Sequence, residues 1–491
     1  MAGAHRDRAG SIRTIPIAPT QEAAMSQPEA RTTNGTVRGG WETGVAVFRG
    51  IPFAEPPVGE LRFAAPRPAK SWDGVRDALS FGPPPPQPGV FGMDALSADT
   101  GDDWLTVNVW SPDLGAGLPV MVWIQGGAYT FGMSGLPEYD GLTLARDGVV
   151  LVTFNYRVGI EGFVQIPGAP ANRGLLDQVA ALEWVRDNIR AFGGDPDRVT
   201  IFGQSAGGGS VASLLAMPRA AGLFRRAIAQ SVPGTFFTPE LAADIANEIA
   251  AGRDLSTVDP RELPAAGDAL TAKIDQWIDR WGRAAFRTIP FAPVVDGDVL
   301  PATPWQALDR DVDLIVGHTR DEQRLFTIID GSEVTEERAA AALKVLGPDG
   351  GTYPNAGPDE LYELVNSDWL FRMPSLHLAE AHGQAHLYEL TWSGPLGACH
   401  GLDVPLVFGN LDRGQPAALL GDPDEAAAVS KRMRAAWTAF AATGDPGWPA
   451  YDAEQRLTQV FDVQPEVRPY PEEVSRLIWQ HHDFAPLPLI S

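Results

Sequence analysis

Few side chains in this 491-residue chain suit covalent chemistry, and one stretch sets the best of them in a useful place. In VTIFGQSAGGGSVASLLA, residues 199–216, Ser205 lies within Gly203-Gln204-Ser205-Ala206-Gly207. With 52 glycines in the chain, G-x-S-x-G arises from composition alone with a probability on the order of 0.2. The pentapeptide therefore needs partners and a setting. A serine hydroxyl is a poor nucleophile near neutral pH. It needs an imidazole to take its proton, a carboxylate to orient the ring, and N–H donors for the oxyanion. For a serine at a strand–turn–helix junction the chain order is serine, acid, histidine.

The acid in the best position follows the strand-like DLIVGHT (313–319). It is Glu322, with the adjacent Asp321 as the local alternative. The eight histidines can be weighed singly. His5 lies in an N-terminal tail, His481 and His482 lie near the polar C-terminus, and His318 reads as structural. His377, His382 and His386 match no H-E-x-x-H zinc spacing, and neither a metal nor another cofactor is expected. His400, in GACHGLDVPLVFG, follows a second strand-like run through a Gly/Pro-containing loop and is the best-placed base. The Gly-rich IQGGAY offers the backbone N–H groups of Gly127 and Ala128 as an oxyanion hole, joined by Ala206 after the serine.

The elements that must position these groups alternate strand and helix. Short β-rich runs at 36–38 and 45–49 open the chain. Apolar runs at 105–110, 118–125 and 149–157 follow, the last two continuous as in strands buried on both faces. In NRGLLDQVAALEWVRDNIRAFG, apolar residues recur at three- and four-residue steps before Gly193-Gly194, which reads as a helix with its stop. VTIFGQ is then a strand, Ser205 the turn, and SVASLLAM a helix. Strands at 225–231, 313–319 and 385–392 continue an α/β pattern with a mostly parallel sheet. Two helix-rich stretches, near 236–290 and 333–385, read as insertions capping the sheet's C-terminal edge, where α/β enzymes bind ligands. Residues 1–30 read as a disordered extension, of which 1–24 precede a second methionine, Met25. Residues 31–491 read as a single domain.

Composition narrows the partners. The formal net charge of −24 opposes nucleic acid and anionic membrane surfaces. No run of eighteen apolar residues suggests a membrane span, and the apolar stretch near the N-terminus is broken by Arg13, Pro16 and Pro19. The single cysteine, Cys399, allows no intramolecular disulfide. The expectation is a cytoplasmic protein, monomeric or a weak homo-oligomer, acting on a small molecule.

Several segments resemble the type-B carboxylesterases of the α/β-hydrolase fold, bacterial para-nitrobenzyl esterases among them: FRGIPFAEPPVGELRF, DDWLTVNVW, VMVWIQGGAYTFG, the run from NRGLLDQ to GQSAGG, and GLDVPLVFGNL. The resemblance runs from about residue 36 to 451. It implies carboxylic ester hydrolysis through a Ser205–Glu322–His400 triad, favouring Glu322 over Asp321, with an oxyanion hole at Gly127, Ala128 and Ala206. It also implies structural roles for Arg157 and Asp177, and a hydrogen bond from Ser231 behind the triad. The chain departs from the family at Gln125, where relatives have His, and at Gln204, where they have Glu. It also has Pro85 and Trp104 where relatives pair two cysteines. An amidase, or a specialised ester, lactone or carbamate hydrolase, would use the same triad, and a non-catalytic adhesion-type domain is the rival from another class. Phe91, Phe131, Trp277, Trp281, Phe326, Trp369 and Phe371 are candidates to line an apolar gorge, with core packing the alternative for each.

Overall fold

The computed structural model describes residues 26–89 and 101–490. Its main feature is a sheet of 11 strands in the order β11-β10-β9-β8-β7-β6-β4-β5-β3-β2-β1. In chain order these are β1 (Gly40–Glu42), β2 (Val45–Pro52), β3 (Thr106–Ser111), β4 (Leu118–Ile124), β5 (Val150–Phe154) and β6 (Gly194–Gln204). They continue as β7 (Arg226–Gln230), β8 (Asp313–Thr319), β9 (His386–Leu390), β10 (Leu457–Phe461) and β11 (Glu466–Pro469). From β5 through β4 and β6 to β10 every pairing is parallel, and antiparallel pairings close both edges.

The continuous apolar runs take central places because both faces are covered. In β4, Val120, Val122 and Ile124 join one core cluster, while Met121 and Trp123 join the cluster across the sheet. Helices α1 (Arg173–Asn188), α2 (Ala206–Ala216), α3 (Glu322–Asp330), α4 (Asp403–Phe408) and α5 (Pro423–Thr443) connect and cover the strands. The helix expected at 172–193 ends as α1 at Asn188, tightens into a 3-10 turn at Ile189–Phe192, and stops at Gly193, whose φ is 80°. No helix among the described residues is long and apolar enough to cross a membrane.

The first 30 residues need one correction. Glu29 and Ala30, placed by sequence in the extension, belong to a strand, Glu29–Arg31, paired antiparallel with Thr36–Arg38. Ala30 sits opposite Val37 and both are buried, so burial fixes this strand although it is only three residues long. Residues 1–25, and Phe91, lie outside the described residues.

The insertion after β7 carries Pro239–Ala250 and Leu263–Thr271, and the one after β8 carries Glu336–Leu346, Pro358–Ser367 and Met373–His382. Trp277 and Trp281 stack with ring centroids 4.8 Å apart, and Trp281 Nε1 donates to Asp244 at 2.7 Å. Trp281 and Trp369 are each 1% exposed, so both pack in the core.

One buried ion pair holds the crossover behind β5. Arg157 donates to Asp177 through its backbone N (3.0 Å), Nε (2.8 Å) and Nη2 (2.8 Å), and both side chains are wholly buried. Removing one partner of such a pair leaves an uncompensated charge in the core. Asp177→Ala is therefore expected to lower unfolding free energy by about 3–5 kcal/mol, read as an earlier midpoint in urea with an unchanged slope.

Candidate active site

Ser205 occupies the sharp turn between β6 and α2, with φ 59° and ψ −126°. A non-glycine residue rarely adopts this conformation, and such strain persists only where the surroundings enforce it. Here Ser205 N donates to Gln230 O (2.9 Å) on β7, and Ser205 O accepts from Gly209 N (2.9 Å). The turn can close because its neighbours lack side chains: a Cβ on Gly207 would lie 2.0 Å from Ile124 O. The serine is half-buried, facing the C-terminal edge of the sheet.

Glu322 is the first residue of α3, just past the end of β8, and is fully buried. Its Oε2 faces His400 Nδ1 at 2.5 Å, and its Oε1 accepts from Ser231 Oγ (2.6 Å) and Thr319 N (2.9 Å). Burial pushes this carboxyl up, but the imidazole and these hydrogen bonds outweigh it and hold the group below the usual value. Glu322 is thus an ionised acceptor, and it fixes the His400 tautomer with a proton on Nδ1 and a lone pair on Nε2.

The neighbouring Asp321 faces elsewhere. It accepts from Ala398 N (2.9 Å) and pairs with Arg320 (3.1 Å), while its own N donates to Ala398 O (2.9 Å). The residue that rivalled Glu322 is a strut for the loop carrying His400.

His400 is 6% exposed, and its ring is covered by Phe371 (centroids 4.2 Å, stacked) and Phe326 (5.1 Å). Phe326 lies one turn along α3 from Glu322, so one helix supplies both a hydrogen-bond acceptor and a wall for the ring. Phe371 comes from a single π-helical turn, Asp368–Arg372, a distortion frequent at functional sites. Among the described gorge candidates, Phe371 and Phe326 are in ring contact with the imidazole.

The loop after β4 passes close beside the elbow. Gly127 has φ 113° and Ala128 φ 52°, and Gly127 O accepts from Thr130 N (2.8 Å) and Phe131 N (3.1 Å), curling the loop tightly. The N–H groups of Gly127, Ala128 and Ala206 enter no loop, turn or cap hydrogen bond among the described residues.

The other histidines are engaged elsewhere. His318 bonds Thr319 O (3.0 Å) and the Tyr470 hydroxyl (2.9 Å), and burial holds it down to about 4, so its ring is neutral. His382 meets Val312 O (2.9 Å), His386 meets Trp448 O (2.9 Å), and His377 packs edge-on against Phe484.

Two buried residues, Asp403 and Gln230, escaped sequence reasoning. Asp403, at the start of α4, accepts from Gln230 Nε2 at 2.7 Å and from the Tyr388 hydroxyl at 3.3 Å. Nothing in its local sequence marks it, because its partners come from β7 and β9. Burial raises its carboxyl to about 6. The folded state therefore holds this proton more tightly than the unfolded chain, where an aspartate titrates at about 3.9. That stabilisation is complete below about pH 4 and is lost as pH rises through 6, a difference of about 3 kcal/mol. Asp403→Asn is expected to melt progressively higher relative to the parent as pH is raised from 4 to 8, measured by thermal denaturation at matched ionic strength.

A strained serine elbow at the C-terminal edge of a mostly parallel sheet, with an acid after β8 and a histidine after β9, defines an α/β-hydrolase. Within that class, this chain belongs to the carboxylesterase family, whose profile matches residues 26–346. It is 39% identical to the para-nitrobenzyl esterase of Bacillus subtilis (strain 168), across 92% of this chain and 98% of that one. It is 36% identical to the phenmedipham hydrolase of Pseudarthrobacter oxydans, across 88% and 94%. Among solved structures, a carboxylesterase of Geobacillus stearothermophilus superposes with a TM-score of 0.81 at 36% identity, covering 92% of this chain and 100% of that one. The protein is a carboxylic ester hydrolase.

Proposed function

We propose that hydrolysis proceeds through an acyl-serine intermediate on Ser205, with His400 as the base and Glu322 as the group that orients it. Ser205 Oγ attacks the ester carbonyl while His400 Nε2 takes the hydroxyl proton. The carbonyl oxygen gains the negative charge and is met by the N–H groups of Gly127, Ala128 and Ala206. His400 then gives its proton to the departing alcohol as the tetrahedral species collapses, leaving the acyl group on Ser205. Water adds by the same route, its proton passing to His400 and on to Ser205 Oγ. Glu322 stays ionised throughout and stabilises the imidazolium.

The observation that carries this reading is the 2.5 Å contact between His400 Nδ1 and a Glu322 carboxylate braced by Ser231 and Thr319. It leaves the opposite ring nitrogen a proton acceptor beside the elbow. The substrate class is a small carboxylic ester. Similarity to a phenmedipham hydrolase as well as to a para-nitrobenzyl esterase favours, as a second reading, a specialised hydrolase on the same machinery. The test is turnover of para-nitrophenyl esters from acetate to octanoate beside Ser205→Ala. Turnover by the parent alone supports the assignment, and the chain-length profile describes the acyl pocket. Equal turnover by both would refute it.

A further inference from the structure

The proton-accepting nitrogen of His400 is already occupied. Gln204 Nε2 lies 3.2 Å from His400 Nε2, while no hydrogen bond links Ser205 Oγ to the ring among the described residues. Because the Nδ1–H group donates to Glu322, Nε2 has a lone pair, and the carboxamide NH2 is the donor that satisfies it. A ring nitrogen has one lone pair in the ring plane. Gln204 and Ser205 therefore compete for it.

Gln204 is built to hold this place. It ends β6 opposite Gln230 of β7, and the Ser205 N–H bond to Gln230 O pins the backbone immediately after it. Gln204 is 6% exposed, with the loop after β4 on one side and the imidazole on the other. A Cβ on Gly126 would lie 2.7 Å from Gln204 O and 3.6 Å from Gln204 Oε1. The carboxamide oxygen thus faces the Gly126–Gly127 loop while its nitrogen faces His400. With its backbone pinned, Gln204 frees the ring by side-chain rotation.

We propose that Gln204 is a positioning residue that latches His400 in the free enzyme and must swing away before Ser205 can give up its proton. This inference rests on the Ser205–Glu322–His400 reading above. In the latched state the imidazole is held in the working tautomer and plane but is unavailable as a base. An ester carbonyl settling between Ser205 and the donors of the Gly127 loop displaces the carboxamide, and Ser205 Oγ takes over the lone pair.

Charge makes the latch specific to an amide. The titratable and charged groups grouped around His400 are Glu322 at Nδ1, Asp403 on α4, His318 behind Glu322, and Asp321 with Arg320 and Arg324 at the base of the loop. Phe371 and Phe326 contribute no charge. A carboxylate at 204 has no proton to give a neutral imidazole, and it favours the protonated ring.

The experiment compares the full-length parent with Gln204→Ala and Gln204→Glu. It reads the second-order rate of Ser205 modification by a small fluorophosphonate, kcat/KM for para-nitrophenyl acetate from pH 5 to 9, and thermal melting. Gln204→Ala is expected to raise both rate constants by about fivefold at neutral pH, the factor that corresponds to one net hydrogen bond. Gln204→Glu, which nearly preserves the side chain's volume, is expected to lower both at pH 6. It is also expected to move the acid limb of kcat/KM upward by about one pH unit. Equal losses in both variants with superimposable pH profiles would show a packing role and overturn the latch, as would rates in Gln204→Ala at or below the parent's. Failure of the underlying triad reading looks different: the parent itself would not be labelled at Ser205.

Discussion

Ser205→Ala is expected to lower kcat for para-nitrophenyl acetate by about 10⁶-fold, as for loss of the nucleophile in other serine hydrolases, with its melting temperature close to the parent's. The first half follows from chemistry. With Oγ removed, no group at the elbow can form the acyl intermediate, and the N–H donors alone give only residual catalysis over water. The second half follows from geometry. Ser205 Oγ enters no hydrogen bond with a protein group among the described residues, so its removal leaves no buried partner stranded. Alanine meets the same backbone strain at φ 59° that serine does. Steady-state turnover with burst-free baselines, beside differential scanning calorimetry, checks both halves. A variant that loses activity by unfolding would fail the second.

Glu322→Gln is expected to lower kcat by about 10⁴-fold, the scale seen when a triad acid becomes its amide. The reason is visible in the hydrogen bonds. Ser231 Oγ and Thr319 N both donate to Oε1, so the amide oxygen of a glutamine must take that position. Its NH2 then occupies the Oε2 position and donates to His400 Nδ1, 2.5 Å away in the parent. The histidine proton is forced onto Nε2, and the ring can no longer accept the proton of Ser205. KM should change far less than kcat, because Glu322 touches no substrate. Nitrogen-15 shifts of the ring would report the tautomer directly. Retention of activity within tenfold of the parent would mean that His400 is not oriented through this carboxylate.

What the sequence reveals depends on how local each cause is. The central strands were legible because burial on both faces writes a continuous apolar run, as in β4, and the elbow because small residues must flank Ser205. Strand ends were less so. The run at 149–157 shortens to Val150–Phe154, and Arg157 beyond it meets Asp177 in α1, a partner 20 residues further on that no local pattern marks. Glu29–Arg31 was invisible, since three residues give no periodicity and only pairing with Thr36–Arg38 makes them a strand.

The site divides the same way. The chain order of Ser205, Glu322 and His400 could be read directly, but the choice between Glu322 and Asp321 needed family resemblance. Both are acids at the same strand end, and only the three-dimensional path of the 398–400 loop turns one toward the ring and the other toward Ala398. Gln204 was legible as an uncharged residue in a place where relatives carry a charge, while its contact with His400, 196 residues away, was not. Asp403 and Gln230 were silent for the same reason, each being defined by a partner on another strand or helix.

The most direct test of the account is to treat the full-length protein with a fluorophosphonate until esterase activity is gone, and then to locate the adduct by peptide mass spectrometry. One adduct per chain is expected, on Ser205, formed at the rate at which activity disappears. Full inactivation with the adduct on another residue, or a protein that hydrolyses esters while Ser205 is quantitatively modified, would contradict it.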